Sequence, residues 1–178
     1  VDYSKFENAK FLSDDGKGVL SETTMYRAIL EAKKYDKIIM IHAESELSPI
    51  DYRIAEDLMT LRDVYLAKRL DGRIHLCHVS TIDSLEAVRR GKKEGVKVTC
   101  EVTPHHIALW DNSYRVNPPI REKSDVEALI DGIVDGTVDA IATDHAPHTA
   151  EDKANGSPGL VGLETAFAIC NTKLVKER

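Results

Sequence analysis

Strand-length apolar runs alternate with helix-length amphipathic runs along the chain, so the sequence predicts an α/β protein with a parallel sheet. Two further observations support that class. Residues able to bind metals or move protons gather just after the strand-length runs, where parallel α/β folds keep their functional rim. The two longest irregular stretches, 103–123 and 144–162, also follow such runs directly, and loops of that length are uncommon without a function.

The elements follow in order. A weak run, Ala9–Ser13, opens the series. Met25, Ile29 and Ala32 then mark a modest helical face, and Lys37–His42 is the next strand. Between Tyr52 and Leu70, the residues Ile54, Leu58, Leu61 and Tyr65 recur at i, i+4, i+7 and i+11, which reads as the core face of a helix. Arg73–His78 is a strand, and Ile82, Leu85 and Val88 mark the helix after it. Val96–Val102 is the fourth strand. Ser124-Asp-Val-Glu127 reads as a capping box ahead of Val126, Leu129, Ile130 and Ile133, and Val138–Thr143 is the last strand. Gly95 and Gly136 fall where helices should stop.

Composition narrows the function classes. With 42% hydrophobic and 30% charged residues, the chain can build a core. A formal charge of −6 argues against a general nucleic-acid binder. No apolar run approaches the roughly 20 residues of a membrane span. Cys77, Cys100 and Cys170 are odd in number and lack paired spacing, which favours a reducing, cytoplasmic setting over a disulfide scaffold. The chain begins with Val1 and shows no signal-peptide pattern, as expected of a processed product or a piece of something longer.

The first strand runs into Asp14-Asp15, the second ends in His42, the third in His78 and the last in Thr143-Asp144-His145. Imidazole and carboxylate suit zinc, and two His with two Asp suffice for one or two divalent ions. Any one of these alone reads as a hydrogen-bonded structural residue; four strand ends together favour the joint metal reading. His75, at an odd offset from His78, is expected to pack under a helix. His105 and His106 suit a structural or a supporting role equally, His148 suits a functional one, and His145 stays open. Cys77 and Cys100 read as buried small hydrophobes, and Glu44 and Glu46 as supporting or solvated groups. Asn155-Gly-Ser-Pro-Gly159 lacks the Lys-Ser/Thr ending of a phosphate loop.

At Ala142-Thr-Asp-His-Ala-Pro-His148, followed by Lys153, the sequence resembles the dihydroorotase family, metal-dependent (β/α)8 TIM-type barrels of the amidohydrolase superfamily. Glu101-Val-Thr-Pro-His-His106, Val116-Asn-Pro-Pro-Ile-Arg121, His78-Val-Ser-Thr81, Ile41-His-Ala-Glu44 and Gly162-Leu-Glu-Thr165 extend the match in family order. The resemblance implies a zinc-dependent, reversible cyclisation of N-carbamoyl-L-aspartate to dihydroorotate in pyrimidine biosynthesis. It implies His42 and His78 as ligands of one of two zincs. Asp15, 42 − 15 = 27 residues before His42, falls where a metal-bridging aspartate belongs, with Asp14 as the alternative. Asp144 matches a zinc ligand that is also the general acid/base. Asn117 and His148 match substrate contacts, as does the backbone around Pro158 and Gly159. The partner implied is a small molecule, neither nucleic acid nor membrane, and the assemblies implied are a homodimer or a complex with aspartate transcarbamoylase. Other cyclic amidohydrolases, such as dihydropyrimidinase or allantoinase, and a catalytically silent scaffold subunit are the competing readings.

Two features depart from the family. The His-x-His pair at the end of the first barrel strand, with the Arg and Asn that grip substrate, has no counterpart. A whole barrel of about 250 residues does not fit in 178 residues. By resemblance, residues 1–178 form one partial barrel domain carrying strands four to eight. The segments after His42 and between Trp110 and Arg115 look short for the family. The expectation is a fragment, a trimmed chain, or one with disordered parts left out, holding at most about one zinc and inactive alone.

Overall fold

A computed structural model describes residues 8–177. Five strands, each pairing in parallel with the next, follow one another in chain order within the sheet. The chain divides into two compact units. One is the stretch ending at Cys77 together with Glu86–Cys100; the other is His78–Leu85 with everything from Glu101 on.

The first unit begins with β1 (Phe11–Ser13), α1 (Glu22–Lys34) and β2 (Ile38–Ile41), followed by α2 (Tyr52–Leu70) and β3 (Arg73–Leu76). The greater part of β4 (Lys97–Val102) completes its sheet. Phe11 lies opposite Ile38, Ile39 opposite Ile74, and Ile74 opposite Val98. The Ser21 hydroxyl caps α1 by accepting from the Thr24 N–H, and Asp51 caps α2 through Ile54 in the same way. Met25, Ile29 and Ala32 are buried, as their spacing predicts. Fully burying a Met or Ile side chain contributes about 1.5–3 kcal/mol, so this face secures α1.

The α2 face is a correction. Ile54, Leu58, Leu61 and Tyr65 are 46–61% exposed, and the helix instead buries Ala55, Met59, Val64 and Ala67 together with Glu56, Thr60 and Asp63. Small side chains leave room for polar neighbours that carry hydrogen-bonding partners of their own, so periodic apolar spacing points to the wrong side of this helix. His75 is also corrected. It alternates with the buried Ile74 and Leu76, stays half-buried, and its Nδ1 lies 2.8 Å from the Thr99 hydroxyl on the neighbouring strand.

The second unit holds the start of α3 (Ile82–Lys93), the end of β4, α4 (Pro104–Ala108), α5 (Lys123–Val134), β5 (Ala140–Ile141), α6 (Ala150–Ala154) and α7 (Ala166–Asn171). The last of these widens into a π turn over Thr172–Lys176. Glu101 lies opposite Ala140 and Val102 opposite Ile141. Leu85, Val102, Ile107, Val116, Val126, Leu129 and Val138 are buried here. The predicted capping box at Ser124 does not form: α5 starts at Lys123, and Glu122 makes no side-chain cap. The box occurs at Thr149 and Asp152 instead, where each side chain takes the other's backbone N–H. Gly95 and Gly136 stop their helices with φ of 78° and 79°. Among the described residues no helix is long and apolar enough to cross a membrane.

Candidate active site

In the first unit, the residues after β1 and β2 meet. Asp14 is largely buried, and its Oδ1 accepts the His42 backbone N–H at 2.8 Å and lies 2.9 Å from His42 Nδ1. A carboxylate can only accept, so Nδ1 carries a hydrogen, and in the neutral ring Nε2 is then the acceptor. That nitrogen lies 3.6 Å from Oδ1 of Asp15, which is 86% exposed. An acceptor nitrogen beside a carboxylate oxygen is a donor set that fits a divalent cation such as zinc. The geometry separates the two aspartates: Asp14 orients the imidazole from the Nδ1 side, and Asp15 stands on the Nε2 side.

The loop carrying these aspartates is tied down from α2. Arg62 donates to both oxygens of Asp63, at 2.8 Å and 3.1 Å, and to the carbonyls of Val19 and Leu20, at 2.8 Å and 3.1 Å. Asp63 is fully buried; burial pushes its carboxyl up to about 6, with Arg62 pulling the other way. Gly18 lies against the chain after β2, where a Cβ would come 2.6 Å from the Glu44 carbonyl oxygen and 2.7 Å from that of His42.

The second unit holds the remaining candidates. His78 follows β3 and Asp144 follows β5, both half-buried and both in the left-handed backbone region, with φ of 38° and 46°. Such a conformation costs a non-glycine residue roughly 1–2 kcal/mol, and Asp36, Asp71 and Asp111 adopt it too, at turns or bends. Backbone contacts join the segments that carry Asn117, Pro158, Gly159 and His148. The Gly159 N–H donates to the Arg115 carbonyl at 3.0 Å, two residues before Asn117. A Cβ at Gly159, whose φ is 128°, would meet the Ala146 carbonyl oxygen at 2.6 Å and His148 Cδ2 at 3.1 Å. Lys153 closes this loop by donating to the carbonyls of Arg115, Ser157 and Gly159. His148 itself is exposed.

The neighbouring histidines separate into different roles. His145 Nδ1 accepts the backbone N–H of Leu163 at 3.1 Å and of Gly162 at 3.3 Å. Buried His106 spans Thr103 Oγ1, 2.8 Å from Nδ1, and the Pro118 carbonyl, 2.9 Å from Nε2, so it supports the residue after Asn117. Burial holds its pKa well below the ordinary histidine value. His105 is buried with neither ring nitrogen hydrogen-bonded, and burial pushes it down to about 4. The sequence flagged both residues without separating them. It left Arg62–Asp63 unremarked, and a charged pair inside an apolar helical repeat was the available signal.

A parallel sheet with helical crossovers, and metal-competent residues just past the carboxyl ends of its strands, fit an incomplete (β/α) barrel. The solved structures agree on the fold. A D-hydantoinase (dihydropyrimidinase) from Thermus sp. superposes with a TM-score of 0.84 at 22% identity, over 95% of this chain and 45% of that one. An L-hydantoinase (dihydropyrimidinase) from Arthrobacter aurescens gives 0.81 at 24%, over the same shares of each chain. By sequence, the chain is homologous to part of the dihydroorotases. It is 57% identical to the dihydroorotase of Clostridium botulinum over 171 residues, 94% of this chain and 43% of that protein. It is 44% identical to that of Fusobacterium nucleatum over 197 residues, 95% and 46% respectively. The chain thus spans a little under half the length of these relatives. An alignment of 197 positions exceeds its 178 residues, so the Fusobacterium protein also carries internal residues this chain lacks. No protein-family model matches.

Proposed function

We propose that this chain supplies the metal-holding and substrate-orienting part of a dihydroorotase, which interconverts N-carbamoyl-L-aspartate and (S)-dihydroorotate plus water. The observation that carries the reading is the Asp14–His42–Asp15 arrangement, found in a sequence 57% identical to a dihydroorotase. In this reading His42 and Asp15 hold zinc through Nε2 and a carboxylate oxygen, and His78 and Asp144 complete the ligand set. When bound, zinc supplies Lewis acidity, lowering the pKa of water toward 7 and polarising a carbonyl.

The chain's own residues do the rest. Asp144 takes a proton from the attacking water and passes it to the departing ring nitrogen, and the steps run backward for ring closure. Asn117 and His148 orient the substrate, and the Pro158–Gly159 backbone lies along its ring, held by Lys153 and the Arg115 carbonyl. The setting proposed is the cytoplasm. A homodimer or a transcarbamoylase complex are the assemblies to look for, and the whole of residues 1–178 acts as one domain.

The structural neighbours named hydantoinases share only the fold at 24% identity or less, so a hydantoinase-type activity is the second reading. Assays of the protein carrying this chain, with dihydroorotate, dihydrouracil and hydantoin side by side, decide between them. Turnover of dihydroorotate alone is expected; turnover of either other ring in its place overturns the proposal. Residues 1–178 alone are expected to hold at most about one zinc and to show no ring closure.

A further inference from the structure

The structure assigns Arg62 and Asp63 of α2 a positioning role: they set the orientation of His42 and the placing of Asp15. The assignment rests on the proposed metal-holding role of that pair. The connection is continuous within the first unit. Asp63 takes two N–H groups of the Arg62 guanidinium, fixing its plane. Arg62 then grips the Val19 and Leu20 carbonyls. The other face of Val19 is also held, because its N–H donates to Asp14 Oδ2 at 3.3 Å. Asp14 Oδ1 in turn accepts the His42 N–H and faces Nδ1. Four hydrogen-bonded steps therefore join a buried ion pair on a helix to the imidazole tautomer.

Two observations set this apart from ordinary loop anchoring. Burying a carboxylate and a guanidinium carries a desolvation cost that apolar residues of like volume avoid. Here that cost falls on the turn of α2 that reaches the aspartate loop. Independently, Gly18 fits against the His42 and Glu44 carbonyls with no space for a Cβ, so the same loop is fixed at a second point. A loop held at both places has little freedom to turn Asp14 away from Nδ1.

The test uses the protein that carries this chain and compares R62M, R62K and D63N with the parent. Zinc affinity is measured by competition with a chromophoric chelator, and the His42 tautomer by long-range ¹H–¹⁵N NMR on metal-free protein. R62M is expected to bind zinc about 10–100-fold more weakly and to lose the single Nδ1–H tautomer, with partial recovery in R62K. D63N should fall between, and it decides the question if R62M does not fold. Parent-like affinity and an unchanged His42 tautomer in the folded variant overturn the assignment. An H42A control keeps the two ideas apart. If H42A binds zinc as the parent does, the metal reading fails, and the NMR result alone upholds or overturns the positioning role.

Discussion

Asp14 holds His42 at two points with one oxygen, accepting its backbone N–H at 2.8 Å and facing its Nδ1 at 2.9 Å. The side chain cannot turn without breaking the second contact, so the ring presents Nε2 to the Asp15 side. D14A removes both contacts while leaving the proposed ligands in place. Zinc affinity should fall about 10–100-fold, as for other lost partners behind a ligating histidine. D14N keeps an acceptor oxygen and should lose less. Chelator competition on both variants checks the order.

Asp144 combines a left-handed backbone with the proposed proton-transfer role. Asn tolerates that backbone as well as Asp does, so D144N should stay folded and lose nearly all turnover. D144A should lose turnover too, and in addition about 1–2 kcal/mol of stability from the conformation alone. Steady-state kinetics with thermal melts on both variants separate chemistry from strain. A D144N protein keeping most of the parent kcat removes Asp144 from the role.

His148 is exposed, lies beside Gly159 and, in the proposed function, orients the substrate without holding metal. H148A should therefore raise KM more than it lowers kcat, with zinc content unchanged. A zinc loss as large as in H42A would make it a ligand.

His105 gives a pH prediction. Its folded pKa of about 4 lies below the ordinary histidine value, so the unfolded chain binds the proton more readily. Its contribution is fully present above about pH 6.5 and is lost as the pH falls toward 4. H105L removes the titrating group and two unpaired buried nitrogens. Urea melts should show H105L more stable than the parent near pH 5, and close to it or better at pH 8. A variant that is less stable at both pH values shows that the imidazole has a partner.

Much of this architecture was legible in the sequence. Among the described residues all five strands fall inside the predicted runs, because each is a short apolar run with polar ends. The expected cover holds for the middle strands, whereas Phe11, Ala140 and Ile141 are exposed. The α2 face was misread because Ala55, Thr60 and Asp63, which the helix buries, carry little hydrophobic signal, whereas the exposed Ile54, Leu58, Leu61 and Tyr65 carry a strong one. The short helices α4 and α6 lay hidden in stretches read as irregular, since five residues are too few for a periodic pattern. At the site, spacing singled out Asp14 and Asp15 but could not divide their work. That division depends on which carboxylate turns under the imidazole, a property of side-chain direction with no trace in residue order.

Lys153 donates all three of its loop-fastening hydrogen bonds to main-chain oxygens, with its ammonium also lying 4.3 Å from the centre of the Tyr114 ring. An acceptor of that kind is blind to residue identity. Positions 115 and 157 can therefore drift without loosening the clasp, while any loss of the ammonium at 153 releases all three attachments together. Gly159 shares the clasp but has no such freedom, since its neighbours leave no space for a larger residue. Saturation mutagenesis across this segment would then read as intolerant sites at 153, 156 and 159, since Gly156 has a φ of 85°, with position 157 between them permissive.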